Sequence, residues 1–502
     1  MSRGSSFCLA VALIVLGAGM RNTVGGADDA AFKESLKNPH MWLDSVSKDA
    51  GGFDRTEDDA ISLLAELGMA QCNAGDKAAA LATADQLLTG AAKAPSPNCG
   101  VGDRLAAASI RIAAGKGDQA KVILDPLEKE MIRLIPSPDS VTIKAAGAID
   151  ENWAMENIAV QYVRLGDFDH ARKLVEQIDV YDLRAEARCN LAHEMFIHNR
   201  KNDAKQLLEL SNKQVNDPKY ESDQSFIYQK ISEELASEGS YDAAFKFAAA
   251  IPEPYHRHQA MAGIVAAQFR AGDAVGSHKI AERAWKTFDA APVKERGGDF
   301  VYLAANQLLE ARDTKGAELT LQHIAGALPA FSSQEHVAYL FLEAAIAASA
   351  GDEAGCTKQV AAAATIQLPA NARKNCEESG WSQIARAYSH AGKFDQAISA
   401  LEKSGFTYEY DGIAMDMVKK GLFDRALATL AKESPTLNPF VAERFSREAV
   451  QHCDVAAVYR WMQSIKDANI RARAAIGASE GLAQGRDDLG ISNRPVMVGI
   501  GG

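Results

Sequence analysis

A chain-breaking residue followed five positions later by a small one recurs eleven times along this sequence, and no other feature limits the possible folds so strongly. The pairs are Gly75/Ala80, Gly115/Ala120, Gly166/Ala171, Asn199/Ala204, Gly239/Ala244, Gly272/Ser277, Arg312/Ala317, Gly351/Cys356, Gly392/Ala397, Gly421/Ala426 and His452/Ala457, at intervals of 29 to 51 residues. The stretch from Trp381 to Leu401 shows what one unit encodes. Trp381, Ile384, Ala385 and Tyr388 recur at three- and four-residue spacing, the apolar face of a helix. Gly392 then breaks the run, as a residue able to take φ > 0 at a helix end. Asp395 falls in the first turn of a second helix, where a carboxylate meets the positive end of the dipole. Ala397 and Leu401 face back onto the first helix, and Ala397 is small enough to let two backbones approach. An aromatic residue and an Asp hold the same place at Phe168-Asp169, Tyr241-Asp242 and Phe423-Asp424.

Prolines alternate with these turns, at Pro95/Pro97, Pro136/Pro138, Pro218, Pro252/Pro254, Pro292, Pro329, Pro369 and Pro435/Pro439. Proline ends a helix and restricts the residue before it, so the two kinds of breaker mark opposite ends of a stack of antiparallel hairpins. Pro126 is the exception and predicts a kink or restart in its helix. The expected fold is therefore all-α, an α-solenoid of about eleven antiparallel helical hairpins. Repeats of this kind stabilise through their neighbours, so residues 56–484 read as one continuous array with no separate catalytic domain. The longest interval, 51 residues from Gly115 to Gly166, carries its excess in Pro136 to Asp150, a surface loop or a break in the stack. Residues 28–55 read as an N-terminal cap. Residues 485–502 lack periodicity and read as a disordered tail.

The first 27 residues read as a signal peptide: Arg3, an apolar run from Phe7 to Ala18, and small residues Gly25-Gly26-Ala27 for cleavage. The alternative is an uncleaved membrane anchor, for which the run is short, and no later run is long enough to span a bilayer. The expected location is export, to a periplasm or the exterior, after cleavage near Ala27. Cleavage removes Arg3 and Arg21 and no acid, moving the formal charge from -12 to -14. Nucleic-acid binding needs clustered Lys and Arg. Here they are scattered through an acidic chain, which sets RNA-binding repeats back.

The unit resembles the tetratricopeptide repeat, whose pattern runs Trp, Leu-Gly, Tyr, Ala, Phe over two helices. Trp381, Ile384, Ala385, Tyr388, Ala397 and Leu401 fall at those spacings, as do Met155, Ile158, Ala159, Tyr162, Ala171 and Val175. Tyr410, Ile413, Ala414, Met417, Ala426 and Leu430 make a third match. The resemblance covers about Thr56 to Leu482. It implies a right-handed superhelix whose first helices line a concave, partner-binding face. On that face it places Asn157, Asn190, His193, Lys230, Asn306, Gln383 and Arg386, expected as an exposed polar set of mixed sign on one concave surface. Members that clamp a carboxylate tail use a Lys and Asn set that this sequence lacks.

The catalytic and metal signals fail their context tests. Gly477-Ala478-Ser479-Glu480-Gly481 matches a nucleophile elbow, but that motif needs a preceding strand and a later His; here the Ser lies in an Ala-rich helical run and the last histidine is His452. His193-Glu194 with His198 has one residue too many for a zinc-protease helix. At i+5 the two histidines stand about 140° apart. His256 and His258 flank Arg257 with no cluster to complete a site, since zinc takes three or four protein ligands. No catalytic residue, metal or cofactor is expected. The tryptophans read as core packing. The reading is an exported, non-catalytic repeat scaffold that binds an unidentified protein or peptide through its concave face. The alternative is a glycan- or polymer-active enzyme with paired groove carboxylates, which would need a raised-pKa acid facing a second carboxylate.

Cys72 and Cys99, like Cys356 and Cys376, are separated by a whole second helix. That is about 20 Å, against the roughly 7 Å between Cα atoms that a disulfide tolerates. Thiol titration under denaturing, non-reducing conditions should therefore find nearly all six cysteines that follow the signal segment. Four or fewer would overturn the hairpin assignment.

Overall fold

The computed structural model describes residues 34–49, 58–94, 100–134, 151–178, 180–217, 224–290, 308–309, 311–325, 332–406, 409–432 and 437–484. The expected signal segment 1–27, the 136–150 insertion and the 485–502 tail lie outside them. Among the described residues there are 23 helices and no strand. Helix α1 (Pro39–Asp49) precedes the first hairpin. Six hairpins follow: α2 and α3 (Asp58–Ala74, Lys77–Ala91), α4 and α5 (Val101–Ala113, Gly117–Leu134), α6 and α7 (Glu151–Arg164, Phe168–Val175), α8 and α9 (Tyr181–Ile197, Lys201–Val215), α10 and α11 (Gln224–Ser237, Tyr241–Ala250), α12 and α13 (Pro254–Arg270, Ala274–Ala290). The seventh has Leu308 and Leu309 in its first helix and α14 (Thr314–Ala325) as its second. Four more follow: α15 and α16 (Ser333–Ser349, Glu353–Thr365), α17 and α18 (Ala370–His390, Phe394–Ser404), α19 and α20 (Tyr410–Lys419, Phe423–Leu430), α21 and α22 (Pro439–His452, Val455–Ser464). Helix α23 (Ala468–Gln484) ends the described chain.

The turn chemistry explains the five-residue rule. At Gly75 φ is 90°. Its N–H donates to the Cys72 carbonyl at 3.0 Å, and the next N–H, of Asp76, donates to the Gln71 carbonyl at 2.8 Å. This double closure satisfies carbonyls that the helix end would leave open. It recurs in each of the first ten turns, eight at Gly and the others at Asn199 (φ 58°) and Arg312 (φ 67°). With the turn so fixed, the residue five on always faces the first helix and must be small. Ala80, Ala120, Ala171, Ala204, Ala244, Ser277, Ala317, Ala397 and Ala426 are fully buried. The eleventh turn differs. Cys453 there is extended, with φ -124°, and the buried alanine is Ala456 rather than the expected Ala457. Of the two outcomes expected at Pro126, a restart does not occur: α5 runs through it as one helix. Pro126 lies on the exposed side of the helix, where water can serve the carbonyl that proline leaves unbonded.

Successive described first helices pack on one another along the stack, while second helices pack mainly on their own first helix and the next. The first helices thus form the inner wall. The two ends of the stack meet. Helix α23 packs on α21, on α2 and along α1, so α1 stands to α23 as each second helix stands to its first. Trp42 of α1, fully buried, packs edge-on against Tyr459 of α22 with ring centroids 5.3 Å apart. The segment read as an N-terminal cap therefore completes a twelfth hairpin with the last helix, and the described helices close on themselves. A solenoid with two free ends would expose an apolar flank of α23. Here Trp42, Leu43 and Val46 cover it.

Cys72, Cys189, Cys356, Cys376 and Cys453 are unpaired, as expected, and Cys99 lies outside the described residues. Trp153, Trp285, Trp381 and Trp461 pack against the core. Among the described glycines, the tightest approach to another helix's backbone lies next to the seam. A Cβ on Gly477 would stand 2.0 Å from the Glu443 carbonyl oxygen of α21, and one on Gly481 would stand 2.3 Å from that of Arg447. The glycines of the elbow-like motif are thus helix-packing residues. Gly477→Ala should lower stability by about 2–3 kcal/mol, because the obstruction is backbone and cannot rotate away. Urea unfolding checks it, and an unchanged midpoint would contradict the packing.

Candidate functional site

The polar residues expected on the inner wall divide into two groups. Asn190, His193 and Lys230 sit on neighbouring helices α8 and α10, beside α6. Asn190 Nδ2 donates to Glu156 Oε1 of α6 at 2.7 Å, and His193 Nδ1 lies 2.7 Å from Glu234 Oε2 of α10. Lys230 Nζ lies 3.8 Å from Glu186 Oε1 of α8. These bonds run from one first helix to the next, so the residues are rungs of a polar ladder. Burial pushes the Glu156 carboxyl above its usual range, the Asn190 hydrogen bond opposing. His193 and Arg386 are exposed, at 47% and 43% of the side chain. Against the expectation of an exposed set, Asn157 and Gln383 are each only 5% accessible. Asn157 turns its Nδ2 back to the Trp153 carbonyl at 2.9 Å. The reason is close packing of successive first helices, which covers positions a lone hairpin would expose. Asn306 lies outside the described residues.

Gln383 and Arg386 belong to a second group, where hairpins seven to nine converge on a pocket of about 210 Å³. Arg312, Thr314, Ser349 and His390 complete its polar lining, over a floor that includes Leu309 and Ala387. Thr314 Oγ1 and Ser349 Oγ are 3.1 Å apart. Arg312 Nη2 reaches Asp416 Oδ1 of α19 at 3.3 Å, and Arg386 Nη2 donates to Glu409 Oε1 at 2.7 Å. The pocket residues Arg312, Thr314, Ser349 and His390 were not singled out from the sequence as site residues. One signal was present: Arg312 stands where most turns have Gly.

A third cluster lies at the seam. Arg473 of α23, 1% accessible, pairs with Glu66 of α2 and, at 3.2 Å, with Glu443 of α21. Arg447 pairs with Glu443 at 2.8 Å and with Glu480. Burial, then repulsion from Glu66 and Glu480, pushes Glu443 up to about 7, against the pull of Arg447 and Arg473. Burial also raises Glu480. A raised acid facing other carboxylates is the pattern the enzyme alternative asks for. Here, however, the acids are tied to two arginines across three packed helices, and the 210 Å³ pocket has other walls.

The remaining motifs settle as packing. Ser479 is fully buried within α23, with no strand before it among the described residues. Glu194 pairs with Arg164 at 2.6 Å rather than turning toward His193 and His198 as a ligand set. His258 is buried against Phe288, and desolvation, then the Arg257 charge, lowers it to about 4. Among the described residues no group of three His, Cys, Asp or Glu is placed to hold a metal ion, and no helix is long and apolar enough to cross a membrane.

The raised Glu443 has a consequence for stability. Its folded-state pKa lies above the unfolded one, so the native state binds the proton more tightly. The stabilisation is full below about pH 4.5 and is lost as pH rises through about 7. The stability of Glu443→Gln minus that of the wild type should therefore rise between pH 5 and pH 8, by on the order of 1–3 kcal/mol. Urea melts across that range check it. A flat difference would mean that Glu443 stays ionised.

No family model matches the chain, and no curated protein matches it. Solved structures do. A human IFIT1 dimer with PPP-AAAA is 12% identical, covering 72% of this chain and 93% of that one, with a TM-score of 0.20. The pentatricopeptide repeat protein PPR10 from maize is 11% identical, covering 82% and 68%, with a TM-score of 0.19. A circular tandem repeat protein with novel repeat topology is 11% identical, covering 90% and 96%, with a TM-score of 0.22. At such scores the overall shapes do not superpose, and the fold rests on this chain's own hairpins: it is a helical-repeat solenoid.

Proposed function

We propose that the protein is an exported, non-catalytic scaffold that binds another protein or peptide on the inner wall formed by its first helices. One observation carries this: exposed aromatic side chains stand at the starts of first helices, beside charged side chains of the same wall. Phe226 is 37% exposed, Tyr255 44% and Phe440 49%. The Lys230 ammonium lies 5.7 Å from the centre of the Phe226 ring. Partner interfaces draw most of their energy from a few aromatic and arginine anchors. Elsewhere the apolar faces of these helices are committed to the core. The acidic balance favours a protein over a nucleic acid as partner. The apolar segment before Asp28 supports export.

The test is capture from the native envelope with the protein lacking residues 1–27. Wild type should retain a reproducible protein partner. Phe226→Ala should lose it roughly tenfold or more, at unchanged helical content. Charge reversal at Lys173 on α7, a second helix, should leave it bound. No reproducible partner, or loss only with the second-helix change, would sink the reading.

A further inference from the structure

Helices α23 and α2 meet although no nearby stretch of chain joins them. Two successive hairpins that part must stretch the segment between them. At the seam nothing is stretched, because Arg473 of α23 and its partner Glu66 of α2 stand 407 positions apart. Side-chain contacts hold it, in an apolar part and an ionic part. The apolar part is α1, whose Trp42, Leu43 and Val46 cover α23, with Trp42 edge-on to Tyr459 of α22. Helix α1 nevertheless belongs to the other side of the seam. The chain carries it directly into α2, and His40 Nδ1 lies 3.6 Å from Asp76 Oδ2 at the turn of the first hairpin. The Trp42 indole N–H donates to the Leu36 carbonyl of its own segment at 2.9 Å, a bond it keeps when α1 leaves α23.

The ionic part stands at the water's edge. Glu443 of α21 faces Arg447 on its own helix, Arg473 and Glu480 on α23, and Glu66 on α2. On the α19 side of α21, Asp411 pairs with Arg444 at 3.9 Å. Asp44 of α1 and Arg460 of α22 are exposed to solvent. The Glu66 and Glu443 side chains are 13% and 16% exposed, so a proton reaches them without unfolding. We propose that the seam is a latch: α1 and α2 part from α23 and the circuit opens, its hairpins still folded, as the medium passes from acid to alkaline. Ionised Glu443 puts a further carboxylate charge beside Glu66 and Glu480, and like charges in a buried site oppose ionisation. Parting the seam moves Glu66 away and lets water reach Glu443. In the closed form, burial first and those neighbours next hold Glu443 at about 7. Opening lets it fall back toward the usual carboxylate range. The closed form therefore binds the proton more tightly, is favoured at low pH, and loses that advantage as pH rises through about 7. The latch is independent of the partner proposed for the inner wall.

Small-angle X-ray scattering of the full chain at pH 6 and pH 8.5 tests it, with far-UV circular dichroism in parallel. The radius of gyration should grow with pH at constant helical content, as the ratio of open to closed form rises roughly tenfold. Glu443→Gln has no proton to lose there and should stay compact at both pH values. Trp42→Ala removes the apolar contact and should be expanded already at pH 6, with its helices retained; it decides the matter if Glu443→Gln does not fold. A wild-type radius that does not change with pH, expansion accompanied by loss of helix, the same expansion in Glu443→Gln, or a Trp42→Ala chain as compact as the wild type at pH 6 overturns the proposal.

Discussion

Two backbone hydrogen bonds around one left-handed residue set the geometry on which the rest of this protein depends. They fix where each second helix starts, and so which of its residues faces the first helix. Only a small side chain fits there, and nine of the eleven positions expected for it are fully buried alanine or serine. Small contacts let helix pairs approach closely, and close pairs stack. Little in this arrangement calls on aromatic bulk, which matches a chain that is 7% aromatic.

Stacking alone would leave two apolar ends. The chain covers both at once, by setting α1 beside α23 and α23 beside α2. The seam has a cost. It buries Arg473 among Glu66 and Glu443, and buried charges are tolerated only when paired and hydrogen-bonded. It also demands glycine at two positions of α23, where the helix meets the carbonyls of α21. Arg473 also donates to the Ser62 hydroxyl of α2 at 3.3 Å and lies over the Phe440 ring, so directional contacts tie the seam to this register.

The inner wall is less free than a row of surface helices suggests. Many of its polar side chains bond to the next first helix, as Asn190 does to Glu156. These rungs tie each first helix to the next. The wall thus offers two different environments. One, around Phe226 and His193, is open and mixed in charge. The other, around Arg312 and Arg386, is concave and lined with donors.

The local signals were legible in the sequence because they arise within one hairpin. Gly392, Asp395 and Ala397 determine a turn, a helix start and a contact over six residues, and no distant residue is needed to read them. Gln383 and Arg386, placed on the first-helix face by the resemblance, both line the pocket, but only Arg386 is exposed. Their company was not legible in the sequence. That Arg312 meets Asp416, that Asn157 and Gln383 are buried, and that α1 joins α23 all depend on the rotation from one hairpin to the next. That rotation is small at each step and set by side-chain packing between repeats. Added over eleven hairpins, it decides between two free ends and a closed circuit. Periodicity along the chain carries no record of that sum, so the hairpins belong to the sequence and the closure to the tertiary structure.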